Sequence, residues 1–365
     1  MINTIIIAAI SSRCYVQAAV DAGFEVIAID AFADVDTQNS AKKVIQIEVN
    51  HGQFHPQHLL HALNQIDLSD CIGFAYGAGF EAQPELLKQI ALLLPIIGNT
   101  AEVIEQCKQP RDFFALCDVL SMLYPETVFE KPINTLGWLQ KTIGASGGEH
   151  IKSVLPLDLT LDLEPMTQVY YQNKQSGTPI SCLFLADGKN ALILGFNEQW
   201  CSPTTLSPYR FGGAVSHVEL NGNIQNKLTE FIQSITQTLG LKGLNSCDFL
   251  VQDNEVFALE INPRLSASLS LYQAKRGKLF AAHAAACLGQ LQEWPVVDQS
   301  SRAIQIVYAN QIAKVPAEMD WPEWVCDIPQ PDSVIPAGAP ICSVIADART
   351  AKLAKQKVLE RAASL

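Results

Sequence analysis

The sequence predicts an α/β protein whose N-terminal part is a parallel sheet. Three observations carry this. A buried-strand run, a helix and a second strand follow one another between Thr4 and Asp30 at the spacing of a parallel βαβ unit. Strand-like and helix-like stretches then alternate to the end of the chain. Near residue 250, two strands about an Asp253-Asn254 turn form a hairpin with its acids at one end.

In chain order, Thr4 to Ile10 is a buried strand, Cys14 to Ala22 a helix stopped by Gly23, and Phe24 to Ile29 a strand ending at Asp30. Val44 to Val49 and Cys71 to Tyr76 read as two more strands. An acid at Asp30 suits a ribose contact, but the first turn is AISSR without GxGxxG, which argues against a dinucleotide-dependent oxidoreductase. His51, His55, His58 and His61 cluster around a helix start; no acid or cysteine completes a ligand set. Gly77 to Glu81 is a loop at the carboxyl end of a strand, fitted equally to a ligand crevice or a tight turn. A boundary is expected near Ile97.

Thr100 is a good cap for a helix that leads to Lys108, and Arg111 to Leu120 is a second helix. Trp138 to Lys141 reads as a strand followed by GASGGEHI, with Gly144, Ser146, Gly147 and Gly148 in the loop. Such glycines let backbone amides approach phosphate oxygens, and a strand-end lysine adds a point charge. A mobile surface loop is the plain alternative. Thr167 to Tyr171, Ile180 to Leu185 and Ala191 to Phe196 are strands, with Gln172 to Pro179 a polar link. Arg210, Gly212 and Gly213 fall in a loop suited to holding an acyl substrate or to a structural role. Asn226 to Leu239 and Leu271 to Leu288 are expected helices. The tail holds a Pro-rich stretch from Gln290, strands at 303–308 and 340–345, and a last helix from Thr350.

The hairpin carries the chemistry. Asp248 opens one strand, and Glu260 and Asn262 end the other, two apart and so on one face. Two carboxylates and an amide oxygen are hard ligands that suit Mg²⁺. Glu260 follows the apolar run Val256 to Leu259, where an unpaired carboxylate is costly.

With 48% hydrophobic and 17% charged residues, the 365-residue chain can bury a real core in two or three domains. A net charge of −12 argues against a nucleic-acid partner. No run reaches membrane length, and IIIAAI reads as a strand and not as a leader. Ten single cysteines without a CxxC fit a reducing, cytoplasmic setting.

In this order the parts resemble the ATP-grasp superfamily over about residues 1 to 290. The resemblance implies an N-terminal Rossmann-like domain (1–97), a small lobe (98–165), a large lobe with the metal site (166–290) and a C-terminal cap (291–365) similar to that of carboxylase-type relatives. It implies ATP with Mg²⁺, or Mn²⁺ in its place. Lys108 and Lys141 resemble the family's two lysines, and Gly144 to Gly148 its phosphate loop. Gln172, Asn173, Lys174 and Gln175 look like the adenine hinge, and Asp248, Glu260 and Asn262 like the Mg²⁺ ligands. Asn262-Pro263-Arg264 is similar to a motif whose arginine meets the phosphates. The implied activity is carboxylate–amine ligation through an acylphosphate, on small-molecule acid and amine substrates, with a homodimer in keeping with many relatives. The run LEINPRLSASLSL looks closest to small ligases of methanofuran-type cofactor synthesis, tyramine–glutamate ligation included. The rival reading is a nucleotide-binding regulator or scaffold of the same fold without turnover.

Overall fold

A computed structural model of the protein describes residues 3–154, 168–291 and 300–365. In the N-terminal domain, β1 (Thr4–Ala9), β2 (Glu25–Asp30) and β3 (Lys43–Gln46) alternate with α1 (Arg13–Asp21) and α2 (Val35–Ser40). A short hairpin of β4 (Val49–Asn50) and β5 (Gln53–Phe54) leads into α3 (Pro56–Asn64), then β6 (Cys71–Tyr76) and α4 (Pro84–Ala91). The sheet is parallel in the order β3-β2-β1-β6, as the βαβ spacing predicts. The expected strand from Val44 to Val49 is divided. Its parallel pairing stops at Gln46, and Val49 instead turns back through His51 and Gly52, both at positive φ.

The small lobe holds α5 (Ala101–Lys108), α6 (Pro110–Val119) and the strands β7 (Thr127–Val128), β8 (Trp138–Thr142), β9 (Lys152–Ser153) and β10 (Val169–Asn173). The large lobe is built from β11 (Thr178–Asp187), β12 (Ala191–Cys201), β13 (Phe211–Val215), α7 (Gly222–Leu239), β14 (Lys242–Gln252), β15 (Glu255–Asn262) and α8 (Arg276–Cys287). The cap contains β16 (Ser301–Tyr308), β17 (Ala313–Lys314), β18 (Val325–Cys326), β19 (Val334–Ile335), β20 (Pro340–Ala348) and α9 (Ala351–Ala363). Thr167, the start of one expected strand, lies outside the described residues, as does part of the stretch after Gln290. The lobe boundary expected at 165/166 falls later: β10, expected in the large lobe, pairs with β7 and β8 of the small lobe, and the large-lobe sheet takes up the chain at β11.

Helix α7 shows how pattern becomes packing. Its Ile224, Leu228, Phe231, Ile232 and Ile235 recur on one helical face, and all are buried against the large-lobe sheet. Asn221 caps it by accepting from the Ile224 N–H at 2.9 Å, and Gly240 ends it at φ +66°. The expected helix from Leu271 is shortened. Residues Ala267–Lys275 form a 3-10 segment that leaves helical geometry at Tyr272. Tyr272 donates its hydroxyl to Asn197 Oδ1 at 2.9 Å and meets the His217 ring, and these tertiary contacts override local propensity.

Asn99, just past the first domain, fastens the start of the small lobe to the large lobe. Its side-chain amide donates to Asn245 Oδ1 (2.7 Å) and the Pro263 carbonyl (2.9 Å), and its Oδ1 accepts from the Lys242 N–H (2.8 Å). His283 of α8 ties the large lobe to the end of the first domain, accepting from the Leu244 N–H at 2.8 Å and meeting the Ile97 carbonyl at 3.1 Å.

Candidate active site

The β14–β15 hairpin pairs Gln252 with Glu255 and Phe249 with Ala258 about the Asp253-Asn254 turn. Plain antiparallel counting would then set Asp248 against Leu259. A bulge after Asp248 inserts one residue, so Asp248 pairs with Glu260 and Ser246 with Asn262. The bulge thus brings the two carboxylates onto one face. Asn262 Nδ2 donates to Asp248 Oδ2 (3.1 Å) and Glu260 Oε1 (3.3 Å), and Gln199 Nε2 donates to Asp248 Oδ1 (3.2 Å).

Lys108, at the end of α5, points its ammonium into this group. It donates to Asn262 Oδ1 at 2.7 Å and to Glu260 Oε2 at 3.1 Å. Burial raises the Glu260 pKa, but the charge and hydrogen bond of Lys108 outweigh it and hold this carboxyl below its usual range. Asp248, further from that charge, is pushed up by burial and by Glu260 itself.

Lys141 is buried on β8 and donates to Gln172 Oε1 at 2.6 Å across the β8–β10 pairing. Burial lowers its pKa to about 8. Gln172 also donates to Thr127 Oγ1 at 3.0 Å, so it is a buried strand residue that orients Lys141 and not part of an open hinge. Asn173 ends the same strand. Lys174 donates its N–H to the Gly137 carbonyl (2.7 Å), and Gln175 donates to Gln252 Oε1 (2.7 Å), so the segment expected as a hinge bridges the two lobes.

The glycine loop is seated against both neighbours. The Phe211 N–H donates to the Gly147 carbonyl at 2.9 Å. At Gly148, with φ +76°, a Cβ would lie 2.0 Å from the Tyr209 carbonyl oxygen, and at Gly144 one would lie 2.7 Å from Ala82 Cβ. Ser146 lies within this loop. Under it runs a narrow cleft lined by Lys108, Thr142, Gly144, His150, Tyr170 and Glu260. His150 Nδ1 is buried there without a hydrogen-bond partner, and burial lowers this imidazole to about 4.

Arg264 does not point freely toward a phosphate. Its Nε is 2.6 Å from Glu81 Oε1, Nη1 donates to the Leu265 carbonyl (3.1 Å), and Nη2 donates to Asn262 Oδ1 (3.4 Å). Glu81 also accepts from the Gly79 and Phe80 N–H groups (2.7 and 3.0 Å). Although burial raises the Glu81 carboxyl, Arg264 and Lys108 bring it below its usual value. The loop after β6 therefore belongs to the site, which the glycines at 77 and 79 left open. Arg210 is spent on the Ser202 and Gly338 carbonyls (3.1 and 3.0 Å) and stacks on Tyr308 at 3.5 Å. Gly212 and Gly213 lie in β13, where a Cβ would meet Cys201 at 2.8 Å and the Ile304 carbonyl at 2.3 Å. These three form a seam between lobe and cap and line neither the narrow cleft nor the hairpin group.

Asp30 accepts from the Ser12 N–H and hydroxyl (2.6 Å each) and from the Phe32 and Ala33 N–H groups (2.7 Å each). It is used up in shaping the first turn, in accord with the argument against a dinucleotide site. His55 and His58 stack at 4.3 Å, and among the described residues no three His, Cys, Asp or Glu side chains form a metal group.

The hairpin donors fit Mg²⁺. Glu260 and Asn262 already direct oxygens at one cation, the Lys108 ammonium, and Asp248 stands beside them. Two carboxylates with room for phosphate oxygens are the donor set this ion takes.

The family model for the ATP-grasp domain matches residues 123–268, a span that begins after α6 of the small lobe and ends just past Arg264. An uncharacterised protein of Methanocaldococcus jannaschii is 24% identical, over 92% of this chain and 86% of its own. The large chain of carbamoyl phosphate synthase from Vibrio parahaemolyticus is 22% identical over 53% of this chain, which spans only 19% of that relative. Among solved structures, the biotin carboxylase domain dimer of Hydrogenobacter thermophilus 2-oxoglutarate carboxylase, in complex with MgADP and bicarbonate, superposes with a TM-score of 0.74 at 12% identity, covering 99% of this chain and 90% of that one. An L-amino acid ligase from Bacillus licheniformis gives 0.69 at 11% identity, covering 98% and 96%. These likenesses show the fold.

Proposed function

From the premise that the chain carries an ATP-grasp domain in an ATP-grasp fold, we propose that it is an ATP- and Mg²⁺-dependent carboxylate–amine ligase. The observation that carries the reading is the convergence of Glu260 and Asn262 oxygens on one cation, with Asp248 held beside them by the Asn262 amide. A substrate carboxylate oxygen attacks the γ-phosphorus of ATP, and ADP leaves. The amine nitrogen then attacks the acyl carbon, the C–O bond to phosphate breaks, and the surplus proton departs with phosphate. Mg²⁺, when bound, neutralises charge that builds on the phosphate oxygens.

The chain's own residues position and hold charge. Lys141, fixed by Gln172, supplies a point charge beneath the loop. Lys108 compensates Glu260, and Arg264, locked by Glu81, sets Asn262. The loop amides of Gly144 to Gly148 would donate to phosphate oxygens, the glycines leaving room for the close approach. Little side-chain acid–base work is needed, because positioning and charge neutralisation dominate such transfers. The small-ligase likeness of Leu259 to Leu271 supports a place in the assembly of a one-carbon-carrier cofactor. The dimeric biotin carboxylase domain of similar fold supports a homodimer, and ten free cysteines support a reducing, cytoplasmic compartment. The regulator reading gains no observation of its own, since a binder without turnover has no need of the whole cation group.

The test is ADP release from Mg·ATP over a panel of carboxylates and amines. Turnover should require Mg²⁺ and fall below detection in Glu260→Gln, which keeps a hydrogen bond to Lys108 and removes the charge. Normal turnover by a well-folded Glu260→Gln protein would remove the metal assignment.

A further inference from the structure

We propose that His150 is a side-chain donor to the bound nucleotide, its ring spanning from the loop backbone to a phosphate oxygen. The mechanism above leaves this side chain without a task. It is the last polar residue of the GASGGEHI run, beyond the three glycines.

The turn aims the ring inward. The Ile151 N–H donates to the Gly148 carbonyl at 3.2 Å, which closes a turn with Glu149 and His150 at its centre. Glu149 takes the outer side and is exposed, and His150 lines the narrow cleft. The turn starts from a fixed point, since Gly148 has no room to shift toward the Tyr209 carbonyl.

The two ring nitrogens differ. A hydrogen bond joins the ring to the Ser146 backbone. Nδ1 is buried with no partner, so that bond belongs to Nε2, which donates to the Ser146 carbonyl. With the hydrogen on Nε2, a neutral ring leaves Nδ1 as a bare acceptor. A buried polar atom without a partner is costly, and here it faces a cleft.

The surroundings select what enters. Lys108 of α5 and Glu260 of β15 line the cleft, and the charge of Lys141 on β8 also reaches the ring. Tyr170 of β10 and Cys107 of α5 complete the titratable lining, and burial pushes both up, so they stay uncharged. Burial first, and then the two ammonium groups against the pull of Glu260, keep the imidazole neutral at rest. An anion in the cleft reverses that balance. The ring then takes up a proton at Nδ1 and donates to the anion, while Nε2 keeps the Ser146 carbonyl. The cleft measures about 30 Å³, room for about one water-sized group. One phosphate oxygen fills it against both Lys108 and His150, whereas a purine or ribose ring does not fit. Phosphate, imidazolium and the Ser146 carbonyl then form one chain of hydrogen bonds, which closes the loop through a side chain as well as through its glycines. This role rests on the nucleotide reading of the site.

The experiment is calorimetric binding of a non-hydrolysable imido analogue of ATP, with Mg²⁺, to the full chain near neutral pH. Two buffers of different ionisation heat give the proton count for the parent, His150→Phe and His150→Gln. The parent should take up about one proton per nucleotide more than either variant. His150→Phe keeps a ring and removes both nitrogens, and it should weaken binding about ten- to a hundredfold, the usual size of a hydrogen bond to a charged group. His150→Gln keeps one donor, so it should recover part of the affinity and none of the proton uptake. Parent-like affinity in His150→Phe, or parent-like proton uptake in His150→Gln, would overturn the proposal. Failure of the ligase reading looks different. A parent that binds the analogue with this proton uptake, yet releases no ADP with any carboxylate and amine pair, keeps the role of His150 and loses the ligase. A parent that releases ADP and binds the analogue indifferently to residue 150 does the reverse.

Discussion

Lys141 is a buried ammonium whose hydrogen bond is to a neutral side-chain oxygen, and it is expensive in the resting protein. Its pKa lies below the unfolded value, so between about 8 and the unfolded pKa the unfolded chain binds more protons, and stability rises with pH through that window. Lys141→Met should abolish this rise, as read from denaturant midpoints at pH 8 and pH 10. It should also lower kcat roughly a hundred- to thousand-fold, the usual result of losing one fixed donor to developing charge. Parent-like turnover by this variant would mean that Lys141 is not the phosphate lysine. At this scale the sequence was readable where chemistry is local. Glu260 and Asn262 stand two apart, and strand alternation alone places them together. The bulge that aligns Asp248 with them has no residue signature, and the partnership of Glu81 with Arg264 spans 183 positions.

The phosphate loop is an element held by its backbone. Gly148 has a positive φ and no space for a Cβ against Tyr209, so Gly148→Ala must lift the loop off the large lobe. The expected outcome is faster hydrogen exchange over residues 144–151 and weaker ATP binding, with little change in global stability, because a surface loop opens below the global free energy. Addition of an ATP analogue with Mg²⁺ should slow exchange in this segment in the parent protein. Exchange that is equal in parent and variant, or indifferent to nucleotide, would show that the loop does not clamp the phosphates. Elements with a strong period and a cap, such as α7, are predictable from sequence, since every turn repeats the same instruction. The 3-10 segment before α8 is not, because its shape depends on contacts of Tyr272 with residues far away in sequence.

At the scale of the molecule, the order of the parts was visible in the sequence but the boundary between large lobe and cap was misleading. Among the described residues one sheet runs through both, in the order β15-β14-β11-β12-β13-β16-β20-β18. Strand β16 pairs with β13 through Gly213 to Val215, and no linear pattern announces a pairing across so much chain. This continuity decides which ends of the sheet are open to other chains. At one end the Ala258 N–H is already taken by the Leu123 carbonyl, and at the other β18 is two residues long. Short or covered margins of this kind offer little template for a foreign strand. A chain truncated after residue 299 would bare β13, whose Ala214 and Val215 are buried in the intact protein. Such a chain should self-associate, appearing in light scattering as large, concentration-dependent particles where the full chain gives one small species. If it stayed small and soluble, the cap would be a removable lid; otherwise the cap acts as the guard that keeps the protein from polymerising along its own sheet.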